Sequence, residues 1–482
     1  MREIFNGLIY KQGSMNSSTI AAISTPQGSG GIGIIRISGN NAIQITEKLF
    51  RRSKTKMSRN GPECCNQLLS HRVYHGYIVD PDTKKNIDEA LVIVMKSPKS
   101  YTREDVAEIQ SHGGYLVLRQ IFEKVLAAGT RIAEPGEFTR RAFLNGRIDL
   151  TQAEAVSDLI NAKTDTALRL AARQMDGRLR ERMTQIGQAL NDVRVNLEAA
   201  IDFPEETEVV PNGKHIIDRL KIDVLEVLEA LIQQYRHGRY FRDGLRMTII
   251  GRPNVGKSSL LNCLIGKNRA IVTGTPGTTR DIIEETLNIS GLPVVIVDTA
   301  GLQDTQEEVE RIGIEKAMAS IKDSDLILFM IDTSRPLSEE DQRIYEIIRE
   351  NAHIVVQNKI DLLSQESEAV VPKEWGKSPA IAISALTGTH LGELKKKIQA
   401  IATGSQGILD ESTIVPNARH QEMLCMAKAA VKRAIGELEK PGSAEIIAID
   451  IKEALDNIHA VTGACYTEDL LDQIFSRFCI GK

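Results

Sequence analysis

The 482-residue chain lacks the marks of an exported, metal-stapled or membrane protein. Its six cysteines, Cys64, Cys65, Cys263, Cys425, Cys465 and Cys479, form no C-x-x-C pair and no metal-ligand spacing, which suits reduced thiols in a cytosolic protein. Met1 to Ser14 contains no unbroken apolar stretch of the kind a secretory signal needs, and no later run reaches membrane-spanning length. The expectation is a soluble, cytoplasmic protein with no membrane partner. Neither sign of charge dominates: 60 basic and 64 acidic residues leave a formal net charge of −4, so any RNA contact must be local. The length leaves room for about three domains with separate cores. Because Met15 directly precedes the first strand-like segment, residues 1–14 read as an extension or as sequence ahead of the true start.

What the chain does contain is centred on Met247 to Ser259. A β-branched run leads into Gly251-Arg252-Pro253-Asn254-Val255-Gly256-Lys257-Ser258-Ser259, and Leu260-Leu261-Asn262 then enters a helix. This is a phosphate-binding loop in its strand-to-helix setting. Gly251 and Gly256 let successive backbone N–H groups turn inward on an anion, and the helix adds its positive end. Lys257 reaches the β and γ phosphates, and Ser258 offers a hydroxyl to Mg2+, an ion that takes oxygen ligands.

Further along come Thr273-Gly274-Thr275-Pro276-Gly277-Thr278-Thr279-Arg280-Asp281, the strand Val294 to Val297 ending on Asp298-Thr299-Ala300-Gly301, and the strand Leu326 to Ile331. Ile354 to Gln357 leads into Asn358-Lys359-Ile360-Asp361, and Ile381 to Ile383 into Ser384-Ala385-Leu386. Strands alternating with helices predict a doubly wound sheet, with each motif at a strand's carboxyl end. Asp298 is expected to reach Mg2+ through water, Thr279 to supply a second metal oxygen, and the Gly301 N–H to sense the γ-phosphate. The Asp361 carboxylate can accept from both N1–H and the 2-amino group of guanine, whereas adenine offers neither donor. Leu302 stands where Ras-like enzymes place the glutamine that orients the attacking water, so another group must do that work. Gln303 is offset by one residue, and the acidic run Glu307-Glu308-Val309-Glu310 is the richer source.

The N-terminal third reads as a mixed α/β domain over 15–145. Thr19 to Ser24 is a strand, and Gly28 to Gly33 satisfies G-x-G-x-x-G without being a dinucleotide fingerprint, because the residues after it are β-branched and strand-like rather than helical. A helix is expected over 42–50, a basic loop over 51–61, strands over 71–79 and 89–95, and a helix over 115–128 with Leu116, Leu118, Ile121, Phe122 and Val125 on one apolar face. Arg51, Arg52, Lys54 and Lys56 read as a solvated loop rather than an RNA contact. Thr151 to Glu154 has the form of a capping box and opens a helical pattern to about Ile201, stopped by Pro204. Helical spacing continues over 215–238 and returns over 419–438, 444–462 and 467–478. Helices thus bracket the nucleotide domain, 146–243 before it and 405–482 after it, with 244–404 inserted between. One bundle made from both flanks is the simplest arrangement, and two separate bundles remain open.

Over nearly everything from Met15 to Lys482 the sequence resembles the MnmE (TrmE) family of tRNA-modification GTPases. The marks are Gly30 to Gly39, Pro135-Gly136-Glu137-Phe138-Thr139, Arg141-Ala142-Phe143-Leu144-Asn145, Gly251 to Ser259, Gly277 to Asp281 and Phe478-Cys479-Ile480-Gly481-Lys482. The resemblance implies an α/β and α protein: an N-terminal mixed α/β domain that binds folate and dimerises, a helical bundle, and an inserted doubly wound G domain. It implies GTP with Mg2+ and K+, a reduced folate such as 5-formyltetrahydrofolate, a homodimer, and an FAD-containing MnmG partner in a heterotetramer. Together these install a carboxymethylaminomethyl or aminomethyl group on carbon 5 of the wobble uridine of certain tRNAs. By the same resemblance Asn254, Thr273, Thr275 and Thr278 hold K+, Glu310 orients the water, and Lys257 and Arg280 assist catalysis. Arg36, Glu108, Arg147 and Lys482 contact folate, with arginine at 147 where many relatives have lysine. A ribosome-assembly GTPase, and a folate enzyme that uses its G domain only as a switch, stay open as rivals.

Overall fold

The computed structural model describes residues 18–26, 28, 30–53, 67–202, 213–266, 285–297, 321–363, 372, 375, 376, 378–404, 413–440 and 444–482. They fall into two units, Met1–Glu154 with Tyr466–Lys482, and Ala155–Cys465.

Alternating apolar residues build the first unit around a seven-stranded sheet: β1 (Ile20–Ile23), β2 (Gly30–Ser38), β3 (Phe50–Arg52), β4 (Arg72–Val79), β5 (Asn86–Met95), β6 (Val106–Gly113) and β7 (Arg131–Ile132). The order is β3-β4-β5-β6-β2-β1-β7, antiparallel except where β7 joins β1. Ile35, Ile37, Val92, Val94 and Ile109 pack with the helices Ala42–Leu49 and Tyr115–Ala127 in one core. Gly33 is needed for that packing, because a Cβ there would stand 2.5 Å from Leu118 Cδ1. As its β-branched run predicts, the glycine-rich segment continues as strand β2 and opens no helix.

Three expectations are corrected in this unit. Arg51 and Arg52 lie in the edge strand β3, where Arg51 donates to Asn86 Oδ1 at 2.5 Å and Arg52 sits 4.9 Å from the Tyr74 ring centre. Leu116 stands exposed, because the buried face of its helix runs through Leu118, Ile121 and Val125. The last helix, Glu468–Phe475, and the residues after it group with this sheet rather than with the bundle. The reason is local: Arg140 pairs with Glu468 and Asp472 at 2.5 and 2.8 Å, and Phe475 and Phe478 are buried against Gly136.

The helical pattern expected as one helix over 151–201 is three: Leu150–Asn161, Asp165–Met175 and Arg178–Asp202. Thr164 caps the second by accepting from Ala167 N–H at 3.2 Å, and Gly177, with φ of 83°, turns the chain into the third. The capping box also lies two residues earlier, with Asp149 and Gln152 bonded reciprocally at 2.9 and 3.1 Å. In the second unit Met183, Leu190 and Leu197 share one core with Leu228 and Leu231 of Glu226–Asp243, Leu424 and Val431 of Ala418–Leu438, and Ile451 and Leu455 of Ala444–Thr462. Both flanks therefore form one bundle. A π-turn at Leu220–Leu225 joins Gly213–Arg219 to the long helix after it.

Between the flanks lies a six-stranded sheet: β8 (Leu245–Ile250), β9 (Glu285–Ile289), β10 (Leu292–Ile296), β11 (Leu326–Asp332), β12 (His353–Asn358) and β13 (Ala380–Ala382). Its order is β13-β12-β11-β8-β10-β9, parallel throughout except for the β9–β10 hairpin. Every residue of β11 is buried, as a strand covered on both faces requires. Leu170, Phe241 and Val415 from the helical flanks join this core. Among the described residues no helix is long and apolar enough to cross a membrane.

Candidate functional site

In the second unit the phosphate loop runs from the carboxyl end of β8 to the helix Lys257–Ile265. Gly251 has φ of 152°, and a Cβ there would lie 2.3 Å from the Met330 carbonyl oxygen; Gly256 has φ of 102°, and a Cβ there would lie 2.3 Å from Asn358 Nδ2. The loop can pass this close to β11 and β12 only because both positions are glycine. Lys257 Nζ donates to the carbonyls of Gly251 and Arg252 at 3.0 and 2.9 Å, holding its ammonium over the loop. Ser258 and Ser259 open the helix behind it, and Asn254 stands exposed with φ of 63°.

Asn358 joins this loop to the next motif. Its Nδ2 donates to the Val255 carbonyl at 2.8 Å, and its Oδ1 accepts from the Ala385 N–H at 2.9 Å. Asp361 is exposed, with one oxygen held by Ser384 Oγ at 2.5 Å, while Leu386 is 83% exposed at the rim. Lys359 donates to Asp332 Oδ2 at 2.7 Å. Burial alone would raise the Asp332 carboxyl, but Lys359 and Ser334 outweigh it and hold it below the usual range. Thr273, Gly274, Thr275, Pro276, Gly277, Thr278, Thr279, Arg280, Asp298, Thr299, Ala300, Gly301 and Glu310 lie outside the described residues. Sequence reasoning missed Arg252, which bonds the fully buried Asp341 at 2.8 Å and ties the loop to the helix Glu339–Ile348. No motif marks that pair, 89 residues apart.

In the first unit a second cluster forms where β2 and β6 put Arg36 directly opposite Glu108. Arg36 Nε donates to Glu108 Oε1 at 2.9 Å, and its Nη1 donates to the Gly481 carbonyl at 3.1 Å. The guanidinium also lies 5.7 Å from the Phe138 ring centre. Ser24 Oγ donates to the same Gly481 carbonyl at 3.3 Å. Phe138 N–H donates to the Lys482 carbonyl at 3.2 Å, and Gly136 N–H to that of Cys479 at 3.4 Å. Gly481 has φ of 91° and is buried, and a Cβ there would meet Ser24 Cα at 2.9 Å. Arg36, Glu108 and the tail are thus brought together. Arg147 instead makes its contacts with Tyr101, donating to its carbonyl at 3.0 Å and covering its ring at 4.7 Å. Ser24 and Phe138 belong to this cluster without any sequence motif that names them as ligand contacts.

Two family descriptions match the chain: the GTP-binding protein TrmE N-terminus over residues 19–147, and the MnmE helical domain over residues 150–479. The tRNA modification GTPase MnmE of Thermoanaerobacter pseudethanolicus is 45% identical over 464 residues, covering 96% of this chain and 99% of that protein. That of Natranaerobius thermophilus is 42% identical, covering 97% and 100%. A crystal structure of Aquifex aeolicus Era bound to GDP.AlF4− is 31% identical over 38% of this chain and 66% of that one, with a TM-score of 0.27. With near-complete coverage of both chains at more than two-fifths identity, and with a phosphate loop and guanine-type motifs at the strand ends of its sheet, the chain belongs to the MnmE family of tRNA modification GTPases.

Proposed function

We propose that this GTPase works with a flavoprotein partner of the MnmG kind to add an aminomethyl or carboxymethylaminomethyl group to carbon 5 of the wobble uridine, and that it does so as a cytoplasmic homodimer carrying a reduced folate. The observation that carries the reading is the Gly481 carbonyl on Arg36 beside Glu108. Arg36 and Glu108 keep 19% and 16% of their side chains exposed, so the pair can still meet a ligand's carboxylate and N–H groups. A folate presents both, as glutamyl carboxylates and as pterin donors, and supplies one-carbon chemistry when bound. Arg36 and Lys482 would take the carboxylates and Glu108 the pterin edge; Arg147, held on Tyr101, takes part only by turning away from that ring.

In the G domain Asp361 would select guanine, Lys257 would neutralise the β and γ phosphates, and Ser258 with Thr279 would hold Mg2+. The exposed amide of Asn254 offers the oxygen donor that an alkali cation accepts, alongside Thr273, Thr275 and Thr278. Held by these residues, an alkali cation would supply the positive charge that an arginine finger supplies elsewhere. Arg280 and Glu310 complete the catalytic set, Glu310 by orienting water. Single-turnover hydrolysis is expected to be faster in K+ than in Na+, with the difference lost in Asn254→Ala; equal rates in the parent protein remove the cation from the mechanism.

Deleting Gly481-Lys482 tests the folate reading. Affinity for 5-formyltetrahydrofolate is expected to fall about ten- to a hundredfold, the range of one lost charge-assisted bond. Wobble-uridine modification, followed by mass analysis of tRNA, is expected to fall with it while GTP hydrolysis by the isolated protein stays near the parent rate. Equal folate affinity in calorimetry takes the tail out of the site, and binding to neither protein takes folate out of the function.

A further inference from the structure

The stretch Pro135-Gly136-Glu137-Phe138-Thr139 opens the helix Glu137–Leu144 on a left-handed Gly136, φ 68°. A Cβ at Gly136 would stand 2.8 Å from the Phe475 carbonyl oxygen, so this turn lies flush against the end of the last helix. The N–H groups of residues 136 and 138 both point at the tail, the first to Cys479 and the second to Lys482. Glu137, between them, sends its side chain inward, where only 9% of it is exposed.

A carboxylate that deep is costly unless every lone pair is used. Here Glu137 accepts from Arg131 Nη1 and Nη2 at 2.8 and 2.5 Å, from Arg141 Nη2 at 2.9 Å, and from the Glu134 N–H at 3.0 Å. Arg141 passes the linkage on to Glu104 at 3.0 Å, and Glu104 accepts from Ser38 Oγ at 2.7 Å. The turn is thereby fixed to β7 on one side and to the end of β2, the strand that carries Arg36, on the other. Neither the nucleotide chemistry nor the direct contacts at Arg36 use this buried network.

We propose that Glu137 is a positioning residue for the tail: clamped between Arg131 and Arg141, it sets the direction of the Gly136 and Phe138 N–H groups and so holds the Gly481 carbonyl on Arg36. Its consequence for folate rests on the reading above. Its effect on the tail does not.

Hydrogen exchange of the full-length protein without folate, read by mass spectrometry, tests the tail. In Glu137→Gln, segments 134–140 and 476–482 are expected to exchange about tenfold faster or more, because charge-assisted bonds that fix the turn are lost. Segment 86–113, which carries β5 and β6, is expected to keep its rate. Unchanged tail exchange overturns the proposal. Should the substitution loosen 86–113 as well, Arg131→Gln decides: it removes one clamp from a side chain 38% exposed at the sheet edge and leaves Arg141 on Glu104. Unchanged tail exchange in that variant overturns the proposal equally. A positional role also predicts non-additivity, so Glu137→Gln combined with Gly481→Ala should bind 5-formyltetrahydrofolate no more weakly than Gly481→Ala alone. Additive losses sink the route through the tail. If the parent binds no folate, the folate reading fails, and the exchange rates still decide the role of Glu137.

Discussion

Asp361 is exposed to solvent, yet Ser384 Oγ already fixes one of its oxygens, so the carboxylate is held in a set orientation. Asp361→Asn is expected to weaken GTP binding by at least about tenfold, since a charge-assisted acceptor is lost, and to admit xanthosine triphosphate, whose 2-oxo group accepts a bond that the new amide can donate. Unchanged nucleotide preference in a competition assay contradicts this. The motif singled out Asp361 in the sequence because guanine recognition, the role proposed for it, needs a carboxylate in one place. The same motif said less about Asn358, both of whose polar atoms are taken by Val255 and Ala385, so that it braces two loops. Glu108 was legible only through family likeness. β6 alternates, with Glu108, Gln110 and His112 opposite the buried set, but that set of Ala107, Ile109, Ser111 and Gly113 holds one large apolar residue and so gives a weak signature. Glu137 was still less visible: Arg141 stands one helical turn further on at i,i+4, but the buried carboxylate also needs Arg131, which comes from strand β7 and which no spacing marks. Burial would raise its carboxyl, but Arg131, the Glu134 N–H and Arg141 outweigh that and pull it below the ordinary glutamate value. A depressed carboxyl stabilises the fold at pH above its unfolded value and stops doing so as pH falls through the folded one. The Glu137 contribution therefore disappears only in acid below the ordinary glutamate range.

At the scale of elements, periodicity found most of the helices and missed where they stop. Residues 150–202 carry helical spacing almost without interruption, and the two breaks come from a Thr164 side chain turned to a backbone N–H and from a left-handed Gly177. Both residues also occur inside helices, so apolar spacing does not mark the breaks that the local cap and the left-handed turn make. The short strands β3 and β7, of three and two residues, fall below what alternation can show. Within Glu226–Asp243, Gly238 looks like a weak point that alanine should repair, gaining up to about 1 kcal/mol of helix propensity. The structure argues the opposite sign. A Cβ at Gly238 would lie 2.4 Å from Val415 Cγ2, and Val415 is buried in the core of the nucleotide sheet with a stiff β-branched side chain. Overpacking costs about 1–3 kcal/mol, so Gly238→Ala is expected to lower the urea midpoint of the second unit. A raised midpoint would show that Val415 moves aside freely.

For the whole molecule, a bundle closed from both flanks was the simplest arrangement the sequence allowed, because apolar helices stood on either side of a self-contained sheet. The return of the last helix to the first unit was not legible, since its apolar spacing fits a bundle as well as it fits a turn at Gly136. That return predicts a dependence: residues 1–154 produced alone leave Arg140 without Glu468 and Asp472 and uncover the surface that Phe475 and Phe478 fill. A synthetic peptide of residues 466–482 is expected to stabilise that fragment in a concentration-dependent way, by about 2.7 kcal/mol at a hundred times its dissociation constant, and so to raise its melting temperature. No shift at any concentration would mean that the fragment is complete without it.

The bond from Arg36 to Gly481 spans 445 residues of sequence. A ribosome adding about 5–20 residues per second needs roughly 20–90 s to make that stretch, and throughout this time the strand bearing Arg36 exists without the segment that completes it. The N-terminal sheet can fold early, but its Arg36 cluster cannot be finished until Gly481 has left the exit tunnel. Any message cut short, or any nascent chain released early, therefore yields a protein whose G domain can be whole while its Arg36 centre is open, and the order of synthesis itself separates nucleotide competence from completion of the second site.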